Sequence, residues 1–215
     1  MATVSIELQN RLVTGTLLAF CALTLIINDH PAIISGALVG ILIAILIFEW
    51  PSFNHLWLTP FYPIAPFILL LFLNHSPERL LLPLIVVSSI SFDVGAYCTG
   101  KLHGATKLCP SISPNKTWEG FAGGTLTSVF VTQTFLAYYH QPISLSSLVI
   151  FCLAVSITAT VGDLFESKLK RRARLKDAGD SLPGHGGWLD RIDSVLGTVI
   201  FLFPLRGLIV ALLKW

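Results

Sequence analysis

Apolar runs close to the thickness of a bilayer recur along this chain, and they constrain its fold more than any other feature. A membrane-crossing helix needs about 20 mostly apolar residues. Hydropathy marks seven such runs, roughly at 12–28, 31–49, 60–74, 80–98, 120–139, 144–162 and 195–213. Charged residues make up only 12% of the chain, about half of the roughly 25% usual in a soluble domain. The expectation is an all-α, polytopic integral membrane protein with about seven transmembrane helices. The run at 60–74 is short and holds Pro60, Pro63 and Pro66, so a half-span or re-entrant segment stays open for it. The first run lacks a small-residue cleavage site and reads as a retained helix, not a removed signal peptide.

The loops set the expected topology. Lys101, Lys107 and Lys116 follow the fourth run, and six basic residues from Lys168 to Lys176 follow the sixth. Two intervening runs put both loops on one side, and the positive-inside rule makes that side cytoplasmic. Arg11 then also falls inside, with Arg79 and Lys214 as minor exceptions outside. Cys21, Cys98, Cys109 and Cys152 show no CxxC pairing and read as reduced thiols. Nothing in the charge pattern points to a nucleic-acid partner.

The charge that exists is concentrated. Residues 163–194 hold seven of the 14 basic residues and six of the 12 acidic ones. Asp163 and Glu166 are spaced i, i+3, as are Asp190 and Asp193, so each pair shares a helix face if the flanking runs extend as helices. Hard oxygen ligands at two helix ends suit Mg²⁺, which joins one or two carboxylates to phosphates. A set of solvated salt bridges at a membrane surface is the plainer alternative. Three features favour phosphate chemistry. The basic residues alternate with turn residues, and Pro183, Gly184, Gly186 and Gly187 shape a loop whose amides can approach a phosphate. The last run then begins with helix amides that favour anions.

A second polar segment surrounds it in function if not in sequence. Asp93 interrupts an apolar run, either facing a polar partner or marking where the helix leaves the bilayer. Residues 95–101 nearly match the GxxxxGK[ST] phosphate loop, but Leu102 stands in place of the hydroxyl and no βαβ pattern surrounds it. Ser113-Pro114-Asn115 reads as a turn, and Thr117 as the cap of the next helix. Lys107 and Lys116 are candidate phosphate contacts, or lysines that merely satisfy topology and anionic lipid. Gly120, Gly123 and Gly124 read as a close helix-packing surface.

These residues resemble the phosphatidate cytidylyltransferase (CDP-diacylglycerol synthase) family. Its C-terminal signature runs S-x-aliphatic-K-R, four residues, K-D-x-small, two residues, L-P-x-H-G-G-apolar-x-D-R-x-D. Ser167, Leu169, Lys170, Arg171, Lys176, Asp177, Gly179, Leu182, Pro183, His185, Gly186, Gly187, Asp190, Arg191 and Asp193 match in register. Trp188 departs from the usual aliphatic residue or Phe. A second segment, D-x-x-A-Y-x-x-G then S-P-x-K-T-x-E-G, is matched by Asp93, Ala96, Tyr97, Gly100, Ser113, Pro114, Lys116, Thr117, Glu119 and Gly120. The chain looks shorter than many members on its N-terminal side. It divides as an N-terminal transmembrane region at 1–79 and a catalytic transmembrane region at 80–215 that carries both motifs.

The resemblance implies CTP and phosphatidate as substrates, CDP-diacylglycerol and pyrophosphate as products, and Mg²⁺ as cofactor, with a second monovalent cation such as K⁺ sharing the centre. It also implies a bacterial inner (plasma) membrane, with the active site facing the cytoplasm and a homodimer plausible. On this reading Asp163, Asp190 and Asp193 hold metal. Lys170, Arg171, Lys176 and Arg191 hold phosphates, with Lys107 and Lys116 joining from the other loop. Asp93 and Ser113 lie on the substrate side. Ser167 and His185 hydrogen-bond phosphate oxygens, although His185 can equally be a loop-structuring residue and Asp177 a partner of a neighbouring base. A CDP-archaeol-type synthase, a CTP-dependent polyprenol or lipid kinase, and a non-enzymatic transporter are the competing readings.

Overall fold

The computed structural model of the chain describes residues 30–182 and 186–214. The run at 12–28, Arg11, Cys21, Pro183, Gly184 and His185 lie outside the described residues. Helix α1 (Pro31–Ala44) starts with proline, whose fixed φ suits a first turn and whose missing N–H leaves no orphan donor there. It continues through a π-helical turn (Ile45–Glu49) and a 3₁₀ turn (Trp50–Phe53), and left-handed Asn54 (φ 57) ends it. A 3₁₀ turn (Leu56–Leu58) and a second π-helical turn (Pro60–Ile64) follow, broken by the extended backbone of Tyr62. They lead into α2 (Ala65–Asn74).

The chain continues through α3 (Leu81–His103), an antiparallel pair of strands β1 (Lys107–Cys109) and β2 (Ser113–Thr117), α4 (Trp118–Tyr138) and α5 (Leu145–Arg172). After the glycine loop come α6 (Leu189–Leu202), a 3₁₀ turn (Phe203–Leu205) and α7 (Arg206–Leu213). Among the described residues five helical stretches are long and apolar enough to cross a membrane: Pro31–Phe53, Leu56–Asn74, Leu81–His103, Leu145–Arg172 and Leu189–Leu213. The proline-rich run expected at 60–74 thus has spanning length despite its break at Tyr62. The run at 120–139 is helical as α4, which is not among these five and carries hydroxyls at Thr125, Thr127, Ser128, Thr132 and Thr134.

One local expectation is corrected. Ser113-Pro114-Asn115 is strand, not turn; the chain reverses at 110–112, and Lys107 pairs with Thr117 across the hairpin. Helix α5 runs on past Gly162 to Arg172, the extension under which Asp163 and Glu166 share a helix face, so the start of the basic cluster is helical. The cysteines expected to be reduced are free at Cys98, Cys109 and Cys152.

The described residues form two units. One holds the chain through His75 together with Leu169–Ile192; the other holds Ser76–Lys168 and Asp193–Trp215. Helices α5 and α6 each contribute residues to both. In the first unit, buried Trp50 stacks on Phe53 (ring centroids 5.2 Å apart) and meets the edge of Tyr62. Its indole N–H donates to the Thr59 hydroxyl at 2.7 Å, so no polar atom of the cluster is stranded. At the far end of the same pair of helices, buried Asn74 donates to the Pro31 carbonyl at 2.7 Å and to the Ser35 hydroxyl at 2.9 Å.

The second unit is held by small residues and hydroxyls, as expected where lipid removes the hydrophobic drive between helices. A Cβ on Gly124 would lie 2.7 Å from the Phe92 carbonyl of α3, and one on Gly162 of α5 would lie 2.6 Å from Gly197 Cα of α6. The packing role expected for the 120–124 glycines is therefore what the helices use. Ser88 and Thr132 bond at 2.9 Å, Ser128 donates to the Ser88 carbonyl, and Thr125 donates to Ser156 at 3.0 Å. Gly124→Val is expected to lower stability by about 1–3 kcal/mol through overpacking. Gly40→Val, at a position with open space around it, is expected to be near neutral. Thermal unfolding of the two variants in detergent checks the contrast.

Candidate active site

In the second unit the polar segment after α3 is built before it meets any acid. Thr117 caps α4, its hydroxyl accepting from the Gly120 amide at 3.1 Å, as its position predicts. Two residues on, the Glu119 carboxylate accepts from the amides of Ala105 and Thr106. That clamps the chain leaving α3 to the start of α4 and fixes the hairpin that carries Lys107, Ser113 and Lys116. Lys107 is exposed at the edge of β1, whereas half-buried Lys116 reaches Asp163 on α5 at 2.5 Å.

Asp163 also accepts from the Ser167 hydroxyl one turn along at 3.1 Å. In the same unit Asp93 accepts from the Ser194 hydroxyl at 2.6 Å, which favours the polar-partner reading of that residue over an interfacial marker. Buried Asp193 accepts from the Ser194 amide at 2.7 Å. Asp93, Lys116, Asp163, Ser167, Asp193 and Ser194 are thus six polar residues on α3, β2, α5 and α6 of one unit. Glu166, one turn from Asp163, is fully buried.

In the first unit the glycine loop is folded around two carboxylates. Lys170 at the end of α5 pairs with Asp190 Oδ1 at 2.5 Å, and both side chains are largely buried. Asp190 Oδ2 accepts from the amides of Ala178 and Gly187, each at 2.8 Å. The Leu182 amide donates to the Gly186 carbonyl at 2.8 Å, and Gly186 has φ +77, a conformation that suits glycine. The Gly187 position is sterically closed as well, since a Cβ there would lie 2.7 Å from the Glu49 carboxylate.

Glu49 is the residue that sequence reasoning missed. It is fully buried, and its two oxygens accept from the amides of Trp188 at 2.7 Å and Leu189 at 2.9 Å. These findings correct one expectation. The amide of Gly187, in the loop expected to approach a phosphate, already donates to Asp190, and the Trp188 and Leu189 amides beside it donate to Glu49. A buried helix start must satisfy its first N–H groups, and an acid there is further favoured by the helix dipole. The available signal was an acid closing an apolar run, directly before Trp50-Pro51.

Of the expected phosphate ligands, Lys170 is turned to Asp190, while Arg171, Lys176 and Arg191 are exposed. Arg171 also donates to the Leu175 carbonyl at 3.1 Å, which steadies the turn after α5. Among the described residues no three His, Cys, Asp or Glu side chains gather into a ready metal cage. The acids nevertheless suit a hard divalent cation, since the oxygens around Asp163 and Asp193 are carboxylate and hydroxyl. Mg²⁺ needs only one or two protein carboxylates when substrate phosphates and water complete its shell.

A model of the cytidylyltransferase family matches residues 2–208. The chain is 48% identical over 118 residues to a phosphatidate cytidylyltransferase of Bacillus subtilis (strain 168), covering 55% of this chain and 44% of the relative. To a phosphatidate cytidylyltransferase of Mycobacterium leprae it is 41% identical over 128 residues, 58% of this chain and 40% of the relative. To one of Rickettsia bellii it is 37% identical over 151 residues, 66% of this chain and 65% of the relative. The match spans less than half of the first two relatives' lengths. With a family match that runs over nearly its whole length, the chain belongs to the cytidylyltransferase family.

Proposed function

We propose that this protein transfers the cytidylyl group of CTP to phosphatidate, giving CDP-diacylglycerol and pyrophosphate. The observation that carries the reading is the family signature in register from α5 to α6, where Lys170 and Asp190 form a largely buried pair and Arg171, Lys176 and Arg191 stay exposed. The relatives named above are phosphatidate cytidylyltransferases, which supports the same reaction here. A phosphatidate oxygen attacks the α-phosphorus of CTP in line, and the electrons of the breaking P–O bond leave with pyrophosphate. The attacking oxygen is anionic at neutral pH, so the protein has to position and neutralise charge more than to abstract a proton.

In this reading Asp163, Asp190 and Asp193 are the residues that would hold Mg²⁺, and a monovalent cation such as K⁺ would be a second cofactor. Bound Mg²⁺ would supply positive charge to the α-phosphate and to the departing pyrophosphate. Arg171, Lys176 and Arg191 grip phosphates, Arg by planar two-point contact and Lys as a mobile point charge. Lys116 holds Asp163 until phosphate competes for its ammonium group, and Lys107 is the outer contact of the same hairpin. Seven spans, with both polar segments on the cytoplasmic face, would deliver CTP from the aqueous side and phosphatidate from the inner leaflet. The lysine-rich loops support that orientation.

Three outcomes test the reading. Purified protein in detergent, given radiolabelled CTP, phosphatidate and Mg²⁺, is expected to yield CDP-lipid and pyrophosphate; CDP and a newly phosphorylated lipid would instead make it a kinase. CTP is expected to outperform ATP and GTP at least about tenfold, about 1.4 kcal/mol of discrimination. Asp193→Asn is expected to lower kcat about 100-fold or more, the scale seen when a charge-stabilising group is removed. Turnover at the level of the unsubstituted protein would sink the assignment of Asp193.

A further inference from the structure

Glu49 sits on a segment that neither family motif includes, yet it is the most deeply committed acid in the first unit. Its side chain is 0% exposed, at the end of an apolar run where an ionised group is costly without partners. The π-helical turn Ile45–Glu49 interrupts the regular helix immediately before it, and such turns re-aim the side chains that follow. Both carboxylate oxygens are used, each on a separate amide of the first turn of α6. Two glycines make room for it. A Cβ on Gly179 would lie 2.9 Å from Glu49 Cγ, and one on Gly187 would lie 2.7 Å from Glu49 Cδ.

The next residue after those two amides is Asp190. Its oxygens take Lys170 and the amides of Ala178 and Gly187. The Glu49 and Asp190 carboxylates therefore bind consecutive amides, 187 to 189, from one loop. Glu49 fixes where α6 begins, and the start of α6 fixes where Asp190 and Arg191 are carried.

We propose that Glu49 is a positioning residue: its buried carboxylate occupies the N-terminus of α6 and holds the glycine loop and Asp190 in register with Lys170. The catalytic half of this proposal rests on the cytidylyl-transfer reading above. Glu49 itself touches no substrate. Its effect is transmitted through the Trp188 and Leu189 amides.

The test has two readouts on the full chain in detergent. Glu49→Gln replaces one acceptor oxygen with an NH₂ group facing an amide donor. Hydrogen–deuterium exchange at Trp188 and Leu189 is expected to rise at least about tenfold, with exchange in α3 and α4 unchanged. In the CTP–phosphatidate assay kcat is expected to fall about 30- to 100-fold, the scale of a misplaced reacting group, with KM for CTP within about threefold. Glu49→Asp keeps the charge one methylene short and is expected to fall between the two. If Glu49→Gln does not fold, Glu49→Asp and Gly187→Ala, which crowds an intact carboxylate, are read for the same two effects. Unchanged exchange overturns the proposal outright. Raised exchange with full kcat reduces Glu49 to a structural cap and overturns its catalytic half. Should the unsubstituted protein make no CDP-lipid, the reaction reading fails, while the exchange result still decides whether Glu49 holds the loop.

Discussion

A helix that begins inside protein must find acceptors for its first N–H groups, and this requirement organises the charged end of the molecule. The start of helix α6 and the residues leading into it meet it with two acids. Glu49, from far back in the sequence, takes the amides of Trp188 and Leu189, and Asp190 of α6 folds back onto that of Gly187. Each is a charge-assisted bond, stronger than its neutral counterpart, in surroundings that exclude competing water. Removing either acid would leave buried donors without acceptors, a larger penalty than losing an equivalent bond at the surface. The glycines follow from the same constraint. At Gly187 any side chain would collide with the Glu49 carboxylate, and at Gly186 a Cβ would lie 2.8 Å from Asp190 Oδ2.

The second unit solves a different problem with different residues. Lipid offers no hydrophobic reward for bringing apolar helices together, so close approach has to come from small side chains and buried hydroxyl pairs. Gly124 on Phe92, Gly162 on Gly197, and the Ser88–Thr132 and Thr125–Ser156 bonds do this along α3, α4, α5 and α6. Helices fixed in this way give Asp93, Asp163 and Asp193 backbone positions set by packing more than by their own charges. A carboxylate that must accept a different charge partner during a reaction needs that kind of rigid support.

What the sequence made legible follows from how local each signal is. The apolar runs are local, and the described ones appear as helices close to where hydropathy places them. The Thr117 cap and the glycine packing surface at 120–124 are local too, and both hold. The Ser113-Pro114-Asn115 turn fails because strand pairing with Lys107–Cys109 overrides a local turn preference. The end of α5 stayed open because hydropathy reports where apolar residues stop, not where helical hydrogen bonds stop; Lys, Arg and Glu are good helix formers, and the helix runs on to Arg172. Glu49 carried a local mark, an acid closing an apolar run, but its role was hidden for a plainer reason. Its partners lie 139 and 140 residues away, and nothing within a window around Trp50 announces them.

The division among the basic residues is the point where the two kinds of information meet. The motif alone treats Lys170, Arg171, Lys176 and Arg191 as one phosphate-binding set. Their surroundings separate them. Lys170 is buried against Asp190, and its compact ammonium group is suited to a single close ion pair. Arg171, Lys176 and Arg191 keep their charges exposed, free to exchange water for phosphate oxygens at low cost. A buried ion pair is an inefficient source of stability, because desolvation offsets most of the attraction, but breaking it by removing one partner leaves a buried charge. Lys170 is therefore best understood as the group that keeps Asp190 aimed. In the proposed transfer the exposed bases would be the ones to meet the triphosphate and the lipid phosphate, while the buried pair holds Asp190 in place.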